Sequence, residues 1–106
     1  MTIPIFVGYD PRERAATNVL IDSLYQNSKL PLSIIPLVTN QLMNQGIFKR
    51  ERDPKQSTAF SFTRFLVPYL MNYEGWAIFI DCDMLCKNDI CDLWKIKDEK
   101  FSLMCV

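Results

Sequence analysis

The stretch from Ala77 to Asp83 (AIFIDCD) restricts the possible folds of this chain more than any other. Four apolar residues, with no polar residue between them, lead directly into two aspartates. An unbroken apolar run of this length is typical of a strand buried on both faces of a parallel α/β sheet. Ligands of such sheets bind at the carboxyl ends of the strands. The sequence therefore predicts Asp81 and Asp83 at a ligand-binding edge, with simple exposure to water as the alternative.

The two aspartates favour a divalent metal as the ligand. Two carboxylates at a strand end have a desolvation cost, which a bound cation offsets. Hard cations such as Mg²⁺ prefer carboxylate oxygen and often keep phosphate oxygen as a further ligand. The chain contains no histidine, so by itself it can form no Ser-His-Asp triad, Cys-His pair or histidine-ligated metal site.

Length and composition indicate one small globular domain. The chain has 106 residues, 49% of them hydrophobic, which is enough for a modest core. The 12 basic and 12 acidic residues cancel, so no net charge points to nucleic acid or to a membrane surface. No apolar run approaches the roughly 18 residues of a membrane span.

The spacing of the four cysteines differs from that of zinc and thioredoxin-like sites, because no two of them form a C-x-x-C pair. The N-terminus shows no signal peptide. We therefore expect reduced cysteines and a cytoplasmic protein.

A strand followed by a helix is predicted at the start of the chain. The apolar run Ile3–Gly8 predicts the strand. Asp10, Pro11 and Glu13 then form a helix start, with an N-cap, a proline and an acid in the first turn, and apolar spacing continues the helix to about Asn27. For Asp10, capping alone and capping with ligand contact both remain open. Four residues are expected at the strand's carboxyl end, where ligands bind: Gly8, Tyr9, Asp10 and Arg12.

A second strand and a loop are predicted next. The apolar run Ser33–Val38 predicts the strand, and Pro36 within it indicates an edge position or a bulge. Residues 39–56 are polar and predict a loop, with a possible short strand around Ile47 and Phe48.

A second helix is predicted over residues 56–72. Ser57 or Thr58 would cap it, and Pro68 would kink it. Arg64 lies on a polar face of this helix, from which it could reach the aspartates that follow; a solvated arginine is the alternative. The apolar residues recur at helical spacing and are predicted to face the core: Phe62, Phe65, Leu66, Tyr69 and Leu70.

The end of the chain predicts two short elements. Asp89 is placed to cap a helix of one or two turns. Phe101–Val106 reads as a further strand. Because termini normally lie in polar, exposed segments, we expect the chain to be the N-terminal part of a longer protein.

Taken together, these residues resemble the N-terminal half of a GT-A glycosyltransferase, most closely one of family 8. Phe6–Asp10, continuing through Asp22–Leu24, is similar to the family's nucleotide-binding first strand and helix. Ser61–Pro68 is similar to its arginine-bearing helix. Ile78–Leu85, followed by Asp89–Trp94, resembles its D-x-D motif and the segment after it.

The resemblance implies a GT-A, Rossmann-like α/β fold with a mostly parallel sheet flanked by helices, apparently truncated. Residues 1–106 would be the N-terminal, donor-binding part of a single domain. The implied activity is a metal-dependent, hexosyltransferase-like transfer of a sugar from a nucleotide-sugar, with a UDP-sugar as the expected donor. The acceptor, whether glycan, lipid or protein, and the catalytic residues stay unassigned, and the histidine that the family uses as a further metal ligand is missing.

The resemblance also implies a set of site residues. Mn²⁺ or Mg²⁺ would bridge Asp81 and Asp83 to the donor diphosphate and stabilise the charge of the leaving group. The donor-binding residues would be Gly8, Tyr9, Asp10, Arg12, Arg64, Asp81, Cys82 and Asp83.

Two other interpretations stay open at this point. A phosphatase of the haloacid dehalogenase type also carries D-x-D after an apolar strand, with Asp81 as nucleophile and Asp83 as acid/base. The late position of the motif and Leu85 two residues after it disfavour that class. The second is a folded, truncated remnant that binds a nucleotide-sugar without catalysis.

Overall fold

The computed structural model describes residues 2–47 and 62–104. The described strands are β1 (Ile3–Gly8), β2 (Leu32–Leu37) and β3 (Ile78–Asp81). The helices are α1 (Arg14–Asn27), α2 (Thr39–Asn44), α3 (Val67–Leu70) and α4 (Ile90–Trp94), with 3-10 helices at Pro11–Glu13 and Thr63–Leu66. This composition confirms the predicted α/β class.

The described strands form one parallel sheet in the order β2-β1-β3. β1 lies in the middle, and Ile3, Ile5 and Val7 along it are fully buried. β2 lies at an edge of this sheet, as Pro36 predicted. β3 was expected to be buried on both faces, but all four of its residues are only half-buried. The physical reason is that β3 occupies the other edge of the described sheet.

Helix α1 closes one face of the sheet. The N-cap Asp10 starts the 3-10 turn that leads into α1, and α1 ends at Asn27 because Ser28 is extended. Both bounds agree with the prediction. Leu20 and Leu24 of α1 pack with the β1 side chains, and Trp94 of α4 completes this buried cluster.

The second predicted helix differs from the structure. Its first residues, 56–61, lie outside the described part of the chain, and so do the predicted caps Ser57 and Thr58. The rest is the 3-10 helix and then α3, with Pro68 in the first turn of α3 instead of at a kink. Phe65 is 72% exposed and Tyr69 53% exposed, so the prediction of a continuous core stripe was wrong. A 3-10 turn has three residues per turn, which breaks the spacing that holds such a stripe on one face.

Of three further segments, one agrees with its prediction and two differ from it. Residues 39–44 form helix α2 where a loop was expected, and Phe48 lies outside the described residues. Asp89 caps α4 as predicted, since its side chain accepts a hydrogen bond from the Cys91 backbone amide. Residues 101–104 form no strand, because no described strand offers them a ladder of hydrogen bonds. No helix in the described ranges is long and apolar enough to cross a membrane.

Candidate functional site

The carboxyl ends of β1 and β3 lie side by side. Gly8, the last residue of β1, pairs with Asp81, the last residue of β3. We call the end of the sheet formed by these two strand ends, at Gly8 and Asp81, the carboxyl edge. Because the strands are parallel, the turns that leave them start next to each other. Arg64 reaches the same edge from the 3-10 helix before α3. The structure thus brings all the predicted site residues to one region: Gly8, Tyr9, Asp10, Arg12, Arg64, Asp81, Cys82 and Asp83.

The two aspartates differ in burial from the residue between them. Ile78 and Ile80 pack against the cluster under α1, and Cys82 continues this series as a fully buried residue. Asp81, at the end of β3, has a half-exposed side chain, and Asp83, in the turn that follows, is exposed. The side chain of Cys82 is buried, so its predicted contact with the donor, which stays a prediction, would have to involve its backbone.

Arg64 lies along the outer face of β3. Its Nη2 is 3.6 Å from Oδ1 of Asp81, and its guanidinium carbon is 5.3 Å from the centroid of the Phe79 ring. The distance to Asp81 exceeds that of a hydrogen bond. Oδ1 of Asp81 is buried and accepts no hydrogen bond from the described residues. An acceptor in this state favours a further ligand at Asp81.

Asp10 and Arg12 form a bidentate ion pair beside the strand ends. Nε and Nη2 of Arg12 donate to the Asp10 carboxylate over 2.7–3.2 Å, and the Arg12 backbone amide donates over 2.9 Å. This pairing compensates the burial of the Asp10 charge. The hydrogen bond to Asp10 also raises the pKa of the Arg12 guanidinium. Because the Asp10 carboxylate is committed to Arg12, the exposed guanidinium and the half-buried Tyr9 are the groups that can meet a ligand here.

The Cys82 thiol connects the turn after β3 to the start of α1. It donates a hydrogen bond to Oε2 of Glu13 over 3.1 Å. Burial raises the pKa of this thiol, and the Glu13 carboxylate raises it further. The thiol therefore stays protonated and able to donate at neutral pH.

The segment between β3 and α4 then runs along α1. The Cys86 backbone amide donates to Oγ of Ser23 over 3.0 Å, and the Asn27 side chain donates to the Cys86 carbonyl over 3.0 Å. Further on, Asp89 accepts a hydrogen bond of 3.1 Å from the Lys29 amide, beyond the end of α1. The segment thus leads from the carboxyl edge to the opposite edge of the sheet, where α4 begins.

Asp81 and Asp83 are the pair that can hold a metal. Within residues 2–47 and 62–104, no group of three or more Cys, Asp or Glu side chains converges on one point. The pair can therefore supply two carboxylates at most. That number fits Mg²⁺ or Mn²⁺, because such ions are often bound by one or two carboxylates together with phosphate oxygens and water.

Glu13 was not predicted as part of this region. The sequence identifies Glu13 only as an acid in a first helical turn. Its contact with Cys82 spans 69 positions, and no local pattern encodes a contact of that range. The pairing of β1 with β3 was the signal that could have located it.

Comparison with known proteins gives two matches and one negative result. The sequence model of the family described as "Glycosyl transferase family 8" matches residues 13–106. The chain is 47% identical over 102 residues to "Protein CDI" of Arabidopsis thaliana, which covers 96% of the chain and 39% of that protein. The chain thus spans well under half the length of this relative. No solved structure matches it.

Proposed function

Because the chain belongs to glycosyl transferase family 8, we propose that it is the donor-binding part of a glycosyltransferase. Residues 1–106 would form the N-terminal part of a single domain that takes a nucleotide-sugar, a UDP-sugar, as donor. One observation carries the proposal. Asp81 ends β3 beside the end of β1 and Asp83 lies in the turn after it, with the Arg64 guanidinium 3.6 Å from Asp81.

In this proposal Asp81 and Asp83 hold Mn²⁺ or Mg²⁺. The fit rests on the buried Oδ1 of Asp81, which accepts no hydrogen bond within the described chain, and on the exposed carboxylate two residues later. When bound, the cation would neutralise charge on the departing nucleoside diphosphate. Because Asp83 is exposed, phosphate oxygens could fill coordination positions of the cation that the two carboxylates leave open.

The remaining residues have distinct roles in the proposal. Arg64 contributes a positive charge beside the diphosphate, held against the Phe79 ring. Gly8 lets the ligand approach the backbone, since it has no side chain. Tyr9 stacks on the base, and the Arg12 guanidinium, fixed by Asp10, contacts the ribose or base. The acceptor is a glycan, lipid or protein.

Calorimetric titration of UDP, with and without Mn²⁺, tests this proposal. We expect binding that requires Mn²⁺, and we expect Asp83→Asn to weaken it at least about 10-fold. The matched control is Asp92→Asn, because Asp92 is an exposed acid in the first turn of α4, away from the carboxyl edge. Circular dichroism would verify that each variant is folded.

Two results would count against the proposal. UDP binding that is the same without Mn²⁺, or the same in Asp83→Asn, would remove the aspartates from the site. The phosphatase interpretation predicts instead that a metal fluoride mimicking phosphate binds without a nucleotide, and the family match disfavours it.

A further inference from the structure

Two turns of the carboxyl edge are joined by a part-buried hydrogen bond between side chains. Glu13 ends the turn after β1 and begins α1. Cys82 is the first residue after β3 and lies between the two aspartates. The thiol of Cys82 donates to the Glu13 carboxylate over 3.1 Å, and a charged acceptor strengthens such a bond. It is a direct side-chain connection between the turn of Asp10–Glu13 and the turn of Asp81–Asp83.

The Glu13 end of this connection is itself held in place. The Glu13 amide donates to the Asp10 carbonyl over 2.8 Å, and Oγ1 of Thr17 donates to the Glu13 carbonyl over 3.0 Å. Asp10 is in turn locked to Arg12. The backbone that carries the acceptor of the Cys82 thiol is therefore held by two hydrogen bonds at the start of α1.

The Cys82 end lies directly between both carboxylates in the chain. Cys82 is 0% exposed, and its side chain lies on the α1 side of β3. Asp81, the last residue of β3, has a half-exposed side chain, and Asp83, in the turn after it, is exposed, so both carboxylates are adjacent in sequence to a residue whose side chain is buried. A rotation or shift of the Cys82 backbone would move both oxygen donors of the proposed metal pair at once.

We infer that Glu13 is a positioning residue for the donor site: through the Cys82 thiol it holds Asp81 and Asp83 in the arrangement that binds a divalent cation and a nucleoside diphosphate. The inference rests on the proposed function. It extends that function to a residue that touches neither metal nor nucleotide. Residues that orient metal ligands typically change metal affinity about 10- to 100-fold when they are replaced.

Two substitutions of Glu13 separate the hydrogen bond from the charge. Glu13→Gln keeps the length of the side chain and an acceptor oxygen but removes the charge. Glu13→Asp keeps the charge, but it is one methylene shorter and does not reach the thiol. Aspartate is also a favourable residue at a helix N-cap, so the shorter variant preserves the start of α1.

The matched control is Ser23→Ala. Ser23 holds the same segment through its Oγ, which accepts from the Cys86 amide over 3.0 Å, but it does so away from the aspartates. Its removal is expected to lower the melting temperature without changing the affinity for UDP in Mn²⁺. This variant therefore shows what is lost when a hydrogen bond that only stabilises the segment between β3 and α4 is removed.

The experiment measures UDP affinity in Mn²⁺ and the melting temperature for each variant. We expect Glu13→Gln to bind within about twofold of the unsubstituted chain and Glu13→Asp to bind about 10-fold more weakly. The melting temperature of Glu13→Asp is expected to be no lower than that of Ser23→Ala.

Three outcomes would overturn the inference. Unchanged affinity in both Glu13 variants would show that the hydrogen bond positions nothing. Weak binding by Gln with normal binding by Asp would assign the effect to the Glu13 charge. Losses of affinity that merely follow melting temperature, with Ser23→Ala included, would make the bond structural.

If the unsubstituted chain binds no UDP in Mn²⁺, the proposed function fails first. If the unsubstituted chain binds UDP, Asp83→Asn does not, and Glu13→Asp still does, the inference is rejected while the proposed function stands.

Discussion

Arg64 contributes little to the stability of the fold, although it lies beside the Asp81 carboxylate. Its guanidinium lies between the Phe79 ring and the Asp81 carboxylate, and both charged side chains are more than 40% exposed. Exposed ion pairs contribute about 0–1 kcal/mol to stability. This small contribution to stability agrees with the proposed role of Arg64 beside the donor diphosphate.

We predict that Arg64→Ala weakens UDP binding in Mn²⁺ about 10-fold, because a positive charge beside the diphosphate is lost. The melting temperature should fall by less than about 4 °C, in keeping with a small surface contribution. Calorimetry and thermal unfolding measure the two effects. Lys95→Ala, at an exposed position after α4, is the control. A large drop in melting temperature with unchanged affinity would make Arg64 structural.

Among the elements, local signals determined which predictions agree with the structure. Helix α1 was predictable because one continuous stretch of sequence contains both its capping residue and its apolar face. The order of strand, turn and helix also brought Gly8 and Asp10 to the edge where Asp81 lies. The exposed side chain of Phe65 was not predictable, because the apolar pattern predicts a helix without telling whether its first turn is 3-10 or α-helical. The Glu13–Cys82 contact depends on strand pairing and has no local signal.

Asp89 links two helices and gives an element-level prediction. Its carboxylate caps α4 through the Cys91 amide, over 2.9 Å, and accepts from the Lys29 amide after α1. These hydrogen bonds, those from Cys91 first, lower the pKa of Asp89 below its usual 3.8. We predict that Asp89→Ala lowers the melting temperature by about 5 °C at pH 7.

The effect of Asp89→Ala should depend on pH in one direction. A lowered pKa means that the folded state favours the carboxylate, so its contribution is present above pH 3.8 and lost as pH falls through the folded-state pKa. The difference in melting temperature should be constant between pH 7 and pH 5 and shrink below pH 3.8. Asp92→Ala, in the same helical turn, should show a smaller difference at pH 7. A difference that does not change with pH would contradict a role for the Asp89 charge.

Within residues 2–47 and 62–104, the two faces of the sheet are covered by other residues to different extents. On the α1 side, the β1 side chains, Leu20, Leu24 and Trp94 form one buried cluster. On the other side, Phe6 and Leu37 are buried, and they line a cleft with Leu42 and Leu70. Beyond that cleft the apolar residues Phe65, Tyr69 and Tyr73 are exposed. Stability should therefore depend mainly on the α1 side.

A pair of substitutions tests this asymmetry. Leu24→Ala removes a fully buried side chain and should lower the free energy of unfolding by about 2–5 kcal/mol. Phe65→Ala removes a larger side chain that is 72% exposed and should change it by less than about 0.5 kcal/mol. Urea unfolding followed by circular dichroism measures both, with Val19→Ala on the exposed side of α1 as a control for α1. A loss in Phe65→Ala that equals the loss in Leu24→Ala would mean that Phe65 is buried in solution and that the second face is closed as well. Because side-chain size and burial rank Leu24 and Phe65 in opposite orders, the comparison separates burial from size as the source of stability.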